Sequence, residues 1–227
     1  MKKLLLFDID GTLLRAENAT RLALNETFRN LFNVKESLDD LSFFAWTDLG
    51  LFREAATSLI GRPFNAWEYT AFTTGYAECL QGHLQSCKFY LMPGIAELLP
   101  QLAAREDILL GLETGNIESA AYLKLKRGGL DGYFTFGGFG SDSEDRAKLI
   151  LAGIERARSL EHKLIRKDNI FVIGDSPHDI AAGNKLGVNT IAVGTGLVDQ
   201  EKVLAEKPSV YFKDLGDIPA FLNIITR

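Results

Sequence analysis

The chain has 227 residues, and its content of 46% apolar and 24% charged residues is typical of a soluble globular protein with one large domain or two small ones. Against 30 Asp and Glu it has only 25 Lys and Arg, so the net charge is −5, and no dense basic run is present. We therefore expect neither nucleic acid nor membrane among its partners, and small solutes instead. Cys79 and Cys87 are too few for a disulfide framework, so we expect a cytoplasmic protein; the oligomeric state stays open.

Short apolar runs of strand character alternate along the chain with stretches of helical periodicity. We interpret the first run, residues 3–7, as a strand and not as part of a signal peptide, because Asp8 interrupts it early. This alternation predicts an α/β fold, an open parallel sheet with helices on both faces. The later predicted strands are residues 108–113, 133–136, 170–173, 190–193 and 210–212.

Residues 16–91 break this alternation, because they show apolar stripes at helical spacing without a convincing strand between them. Gly61 followed by Pro63 would end the middle helix, and Pro93-Gly94 would mark the return to the α/β core. We predict an all-helical insert at 16–91, called the helical insert below, and a core made of residues 1–15 and 92–227. The stripes are Leu24, Phe28, Leu31 and Phe32; Leu49, Phe52, Ala56, Leu59 and Ile60; and Trp67, Phe72, Tyr76 and Leu80.

Two carboxylates follow the first predicted strand in the segment Asp8-Ile9-Asp10-Gly11-Thr12. Residues i and i+2 of an extended chain project from the same face about 6.5 to 7 Å apart, so Asp8 and Asp10 should point into one cleft. One carboxylate can then attack phosphorus or hold a cation while the other transfers a proton. Gly11 allows a sharp turn at this point.

A second cluster, Thr114-Gly115-Asn116, closes the strand that begins at Ile108 and opens a helix near Glu118. In an open α/β sheet, ligands bind at such strand ends. A hydroxyl and free backbone N–H groups at a helix N-terminus suit a phosphate.

A third cluster contains Asp175 and Asp179, after the strand that begins at Ile170. Asp8 and Asp175 offer hard oxygen ligands of the kind that Mg²⁺ takes, usually one or two carboxylates with water and substrate oxygens. Asp179 is a candidate supporting acid behind the metal ligands or the N-cap of its helix, and the two interpretations are compatible.

A cation is needed in this cleft, because Asp8, Asp10, Asp175 and a phosphate dianion would repel one another in a low dielectric. Arg146 is the first choice, since its planar fork can hold a phosphate oxygen and a carboxylate together. Lys148 is the alternative, although it could equally be an exposed helix residue.

These motifs together resemble the four motifs of the haloacid dehalogenase (HAD) superfamily, and the resemblance covers almost the whole chain. The α/β core then corresponds to the Rossmann-like core of that superfamily. The helical insert is similar to the cap of phosphoglycolate phosphatase-like members, whose usual Thr-Asp pair corresponds in place to Trp46-Thr47-Asp48. Many relatives have Lys followed by Pro where this chain has Arg146-Ala147.

The resemblance implies that Asp8 is the nucleophile and forms an aspartyl-phosphate. Asp10 would be the general acid that protonates the leaving oxygen and then activates water. Mg²⁺ would be bound by the Asp8 carboxylate, the Asp10 backbone carbonyl and Asp175, while Arg146 would supply the positive charge.

The resemblance also implies the residues that hold the substrate. Thr114 would bind the transferring phosphoryl group, with the Gly115 and Asn116 amides nearby. Thr47 and Asp48 of the helical insert are candidates for contact with the rest of the substrate.

The resulting hypothesis is a Mg²⁺-dependent phosphatase that hydrolyses a small soluble phosphomonoester, such as phosphoglycolate or a sugar phosphate. A phosphomutase is the alternative, because the same two aspartates could return the phosphoryl group to another hydroxyl of the sugar. A non-catalytic module that binds phosphate or metal is a third, weaker interpretation. Dehalogenases and phosphonatases are disfavoured, because those relatives generally lack the second aspartate that stands here as Asp10.

Overall fold

A computed structural model describes residues 2–35, 38, 47–162 and 164–226. Strands and helices alternate through most of the described chain, as the α/β prediction requires. The strands are β1 (Lys3–Phe7), β2 (Leu14–Ala16), β3 (Phe89–Leu91), β4 (Ile108–Thr114), β5 (Gly137–Phe139), β6 (Ile170–Gly174), β7 (Asn189–Val193) and β8 (Val210–Phe212). The helices are α1 (Ala19–Phe32), α2 (Asp48–Ile60), α3 (Ala66–Ser86), α4 (Ile95–Ala103), α5 (Glu118–Arg127), α6 (Arg146–Glu161), α7 (Pro177–Leu186), α8 (Gln200–Ala205) and α9 (Ile218–Thr226).

The main sheet of the described chain has six strands in the order β5-β4-β1-β6-β7-β8, and every neighbouring pair is parallel. Strand β1 lies in the interior of the sheet, where Leu5 is opposite Leu110 of β4 and Phe171 of β6. The carboxyl ends of β1, β4 and β6 therefore meet at one edge. The predicted fold class, an open parallel sheet, is confirmed.

Helices cover both faces of the sheet. Successive residues of β1 point to opposite sides, so each side chain packs against the helices of one face. Leu5 and Phe7 pack in one apolar layer with residues of α4, α5 and α9. Leu4 and Leu6 pack in a second layer with residues of α6 and α7. Burial on both faces explains why β1 is a continuous apolar run.

The prediction of a strand at residues 133–136 is wrong. A 3₁₀ turn occupies Asp131–Tyr133, and the edge strand β5 begins only at Gly137. A Cβ on Gly137 would lie 2.6 Å from Leu112 Cβ, and one on Gly138 would lie 1.7 Å from the Leu149 carbonyl oxygen of α6. Close approach to β4 and α6, and not β propensity, decides where this strand forms.

Helices α1, α2 and α3 pack on one another around an aromatic cluster. The ring centroids of Phe28 and Phe72 are 4.7 Å apart, and those of Phe52 and Tyr76 are 5.0 Å apart. Helix α2 ends at Gly61, as predicted, with Gly61 at φ 74°. The predicted place of Trp67 in the apolar stripe of α3 is wrong, because this residue is 77% exposed.

A short antiparallel ribbon that the sequence did not predict joins the two ends of the helical insert. It pairs Leu14 of β2 with Leu91 of β3, two residues far apart in the chain. The insert is therefore not purely helical at its borders, and the domain limits 16–91 remain a prediction. No helix in the described ranges is both long and apolar enough to cross a membrane.

Candidate active site

A cavity of about 570 Å³ lies at the carboxyl ends of β1, β4 and β6, beneath the N-terminal turns of α1 and α2. It is the place where the sheet topology brings the predicted clusters together. The predicted site residues that line it are Asp8, Asp10, Asp48, Thr114, Gly115, Asn116, Arg146 and Asp175. Thr47 and Asp179 do not line it.

Asp8 directly follows β1, and its backbone N–H donates to the Ile173 carbonyl of β6 at 2.9 Å. Its carboxylate is buried and accepts a hydrogen bond from Arg146 Nη2 at 3.0 Å. Burial raises the pKa of Asp8 to about 7, and the charges of Asp179 and Asp10 add to this effect, while Arg146 opposes it. The ionised form of Asp8 therefore lacks sufficient positive charge around it.

Asp175 directly follows β6 and is also buried, with Thr12 Oγ1 3.3 Å from its Oδ1. Burial raises the pKa of Asp175 well above its ordinary value, and the Asp8 charge raises it further. Gly11 turns there at φ +92°, and a Cβ on it would lie 2.5 Å from Asp175 Oδ2. Gly11 thus turns the chain as predicted, and it also makes room for the Asp175 carboxylate.

The carboxylates of Asp8, Asp175 and Asp179 offer ligand atoms that all lie within 4.8 Å of one another. Hard oxygen donors with unbalanced negative charge fit a divalent cation such as Mg²⁺. Asp179 is already engaged, since its Oδ2 accepts from Ser176 N at 3.1 Å and from Ser176 Oγ at 2.8 Å. The cluster therefore leaves Asp8 and Asp175 as the carboxylates best placed to hold the cation.

The prediction that Asp179 is the N-cap of α7 is wrong by position. Ser176 is the N-cap, and Asp179 is the third helical residue, completing a capping box with it. Asp179 Oδ1 also lies 2.5 Å from Arg146 Nη2. Its place behind Asp8 and Asp175 matches the other interpretation, a supporting acid.

Arg146 begins α6 and points into the cluster of acids. Its Nη2 approaches Asp8 and Asp179, and its Nε lies 3.1 Å from Glu113 Oε2. Burial alone would lower the pKa of Arg146, but the carboxylates of Asp179 and Glu113 raise it above its ordinary value. Lys148, the alternative cation, is exposed and outside the cavity lining.

Glu113, the residue before Thr114, has no role that follows from the sequence motifs. Glu113 is fully buried on β4, and burial raises its pKa well above the ordinary value. Its contact with Arg146 helps to fix the guanidinium beside Asp8. A charged residue inside an otherwise apolar strand was the available signal.

Thr114 and Asn116 form a hydrogen-bonded pair at the end of β4. Thr114 Oγ1 accepts from the Asn116 backbone N–H at 3.3 Å and from Asn116 Nδ2 at 2.9 Å. Asn116 Nδ2 also donates to Asp10 Oδ2 at 2.7 Å. The two predicted phosphate-binding residues are thus connected to the predicted general acid.

Thr47 and Asp48 begin α2 and have different positions. Thr47 is the N-cap, its Oγ1 accepting from Gly50 N at 3.3 Å. Asp48 lines the cavity and ties the helical insert to the core, because its N–H donates to the Gly115 carbonyl at 2.7 Å and its Oδ2 accepts from Ile117 N at 2.8 Å. Burial raises the pKa of Asp48 to about 6, while the charge of Lys124 lowers it. Their predicted contact with substrate remains a prediction.

Lys124 of α5 is a cavity residue that the sequence analysis missed. Its side chain is 2% exposed, and its Nζ lies 2.6 Å from Asp10 Oδ2 and 2.7 Å from Asn116 Oδ1. Ala120 and Ala121, which precede it by four and three residues on the same helix, are also buried. A lysine at helical spacing from these small apolar residues was the sign that it points inward.

Comparison with known proteins agrees with this geometry. The family described as Haloacid dehalogenase-like hydrolase matches residues 5–193, which include every predicted site residue. The chain belongs to this family. Its HAD membership therefore rests on most of its length and not on short motifs alone.

Curated relatives align along nearly the whole chain. Pyrophosphatase PpaX of Listeria monocytogenes is 29% identical over 221 residues, covering 96% of this chain and 95% of that protein. Phosphoglycolate phosphatase of Agrobacterium fabrum is 28% identical over 228 residues, covering 94% of this chain and 89% of that protein.

A solved structure shows the same fold. CbbY from Rhodobacter sphaeroides, crystallised in complex with phosphate, superposes with a TM-score of 0.73 at 19% identity and covers 96% of each chain. The likeness includes the helical insert as well as the core, since it spans nearly all of both proteins.

Proposed function

We propose that this HAD hydrolase is a Mg²⁺-dependent phosphatase that hydrolyses a small phosphomonoester through an aspartyl-phosphate on Asp8. The observation that carries the proposal is the meeting of Asp8, Asp10, Thr114 and Asp175 in one cavity. These four oxygen-bearing side chains come from three strand ends, and the guanidinium of Arg146 lies among them. The arrangement suits nucleophilic attack on a phosphoryl group.

In the first half of the reaction, an Asp8 oxygen bonds to phosphorus and the ester bond to the leaving oxygen breaks. Asp10, whose side chain is 45% exposed in the cavity, donates its proton to that oxygen. The products are the free alcohol, the aspartyl-phosphate and the Asp10 carboxylate.

In the second half, the Asp10 carboxylate takes a proton from water as the water oxygen bonds to phosphorus. The bond from phosphorus to the Asp8 oxygen breaks, which releases phosphate and restores both carboxyl groups. The Thr114 hydroxyl and Arg146 would hold the phosphoryl oxygens through both halves.

Asp8, Asp175 and the Asp10 backbone carbonyl would hold Mg²⁺. When bound, the ion supplies positive charge that keeps Asp8 ionised and offsets the charge of the phosphoryl oxygens. The raised pKa values of Asp8 and Asp175 support this part of the proposal, because they indicate a site built for an added cation.

The substrate should be small, because the cavity of about 570 Å³ also has to contain the transferring phosphoryl group. The names of the curated relatives make pyrophosphate and phosphoglycolate the first compounds to test, with sugar phosphates beside them. The free thiols of Cys79 and Cys87 support a cytoplasmic location.

Phosphate release from this panel, with and without Mg²⁺, tests the proposal. We expect Mg²⁺-dependent release by the native protein and a loss of about 10³-fold or more in Asp8→Asn, because the amide cannot replace the nucleophile. Asp131→Asn, an exposed change of the same kind, is the control and should keep full activity.

Release that is equal in Asp8→Asn and the native protein would refute the proposed mechanism. An isomerised sugar phosphate formed without net phosphate release would show a phosphomutase instead. Tight binding of phosphate without turnover of any compound would show a binding module.

A further inference from the structure

Lys124 and Asn116 hold one and the same oxygen of Asp10. Lys124 Nζ lies 2.6 Å and Asn116 Nδ2 lies 2.7 Å from Asp10 Oδ2. Lys124 Nζ also donates to Asn116 Oδ1 at 2.7 Å, which closes a ring of three side chains. Within the described part of the chain, both hydrogen bonds to the Asp10 carboxylate go to Oδ2, so Oδ1 is the oxygen left to act in the cavity.

We propose that Lys124 is a positioning residue that fixes the orientation of Asp10 for proton transfer. This inference rests on the proposed function, in which Asp10 protonates the leaving oxygen and then activates water. Lys124 itself transfers no proton and forms no bond to phosphorus. It acts by keeping Asp10 Oδ2 anchored, so that Oδ1 is the oxygen presented to the leaving group.

The burial of Lys124 makes its role more than a surface ion pair. Its side chain is 2% exposed, whereas the Asp10 side chain is 45% exposed. An ammonium removed from water is costly unless carboxylates and other acceptors surround it, and here Asp10 and Asn116 supply them. Helix α5 thus anchors a carboxylate that is itself half exposed, although its chain neighbours Ile9 and Thr12 are buried. Such an anchor limits the orientations of a proton donor.

The experiment compares two phosphate esters that differ in their need for a proton. The alkoxide released from phosphoglycolate must be protonated, whereas the p-nitrophenolate released from p-nitrophenyl phosphate needs little help. Because the second half of the reaction is common to both esters, the comparison uses the first turnover with enzyme in excess. Since a positioned general acid contributes about 10²- to 10⁴-fold, we expect Lys124→Met to lower the first-turnover rate of glycolate release by roughly 10- to 100-fold. The first-turnover rate of p-nitrophenolate release should fall less than about threefold.

Lys126→Met is the matched control, because Lys126 is an exposed lysine on the same helix. It should leave both reactions unchanged. Equal losses on the two esters in Lys124→Met would indicate a purely structural role and overturn the proposal, as would full activity on both.

A crystal structure of Lys124→Met provides a readout that does not depend on turnover. We expect the Asp10 side chain in a new rotamer or in several; an unchanged rotamer would overturn the positioning role. If the native protein hydrolyses neither ester nor any other phosphate compound, the proposed function fails, while the rotamer of Asp10 still decides whether Lys124 positions it.

Discussion

At the residue scale, the same burial acts differently on carboxylates that have different neighbours. Asp8 and Asp175 lie side by side. Burial raises both pKa values, the charge of Asp179 adds to the effect on each, and both shifts favour a bound cation. Glu113 and Asp179 lie behind them, in contact with Arg146. Asp10 remains partly exposed and has its own ammonium partner. The site thus contains acids suited to different tasks.

Asp48 allows a test of this electrostatic balance away from the proposed metal ligands. The pKa of Asp48 is about 6, against an ordinary value of 3.8. The protonated carboxyl group therefore adds to the free energy of unfolding below pH 3.8, and this contribution is lost as the pH rises through 6. Asp48→Asn keeps an acceptor for Ile117 N without the charge. Because one pKa unit corresponds to about 1.4 kcal/mol, we expect this variant to have a free energy of unfolding about 1 to 3 kcal/mol higher than the native protein near pH 8.

Thermal unfolding midpoints of Asp48→Asn and the native protein, near pH 8 and near pH 5, check this expectation. The midpoint should rise by several degrees near pH 8 and by about half as much near pH 5. A midpoint lower than that of the native protein near pH 8, or a shift of the same size at both pH values, would contradict this expectation.

At the element scale, helix ends are determined by single residues whose backbone or side chain suits the end. Asn65 and Glu68 form a capping box at the start of α3, and Ser176 and Asp179 form another at the start of α7. Gly61 ends α2 in the left-handed region at φ 74°. The left-handed end at Gly61 explains why the helix limit near residue 61 could be predicted from sequence.

The same substitution should have opposite effects at two glycines of the helical insert. Gly61→Ala places a Cβ in a left-handed conformation and should destabilise the protein by about 1 kcal/mol. Gly82→Ala lies inside α3, where a Cβ meets nothing within 4 Å, and should stabilise it by about 0.5 to 1 kcal/mol. Thermal unfolding midpoints test both expectations. A midpoint that rises in Gly61→Ala would contradict the left-handed end of α2, and one that falls in Gly82→Ala would contradict the open site in α3.

At the scale of the whole molecule, the helical insert meets the core at the loop that carries the proposed phosphate-binding residues. The Asp48 backbone donates to the Gly115 carbonyl, and Ile117 and Ala120 of the core pack within the apolar cluster of the insert. The position of the insert is therefore coupled to the loop at the end of β4. Any shift between them moves both walls of the cavity.

Gly140 lies beside both parts, next to Gly115 of the core and Asp48 of the insert. A Cβ there would lie 1.9 Å from the Gly115 carbonyl oxygen and 3.2 Å from Asp48 N. We expect Gly140→Ala to displace the loop and to lower kcat/KM by at least about 10-fold, since displacements near 1 Å can cost about 100-fold.

Gly132→Ala, where a Cβ meets no atom within 4 Å, is the control and should retain its activity. Phosphate release by both variants, measured beside their unfolding midpoints, tests the prediction. Native activity in Gly140→Ala would contradict the coupling between insert and loop.

The parallel α/β core and the candidates at its strand ends follow from the sequence alone. Strands β1, β4 and β6 are largely apolar runs, and the carboxyl ends of neighbouring parallel strands meet at one edge. Asp8, Thr114 and Asp175 could therefore be expected together without coordinates. Local periodicity and turn residues lie within short segments of the chain.

Which distant residues complete these candidates depends on the tertiary packing. Lys124 reaches Asp10, Glu113 contacts Arg146, and β2 pairs with β3 across the whole helical insert. Strand β5 forms where Gly138 lets α6 come close, although residues 133–136 have the stronger strand composition. The reason is physical: packing distances and charge partners depend on segments far apart in the chain, and no local pattern encodes them.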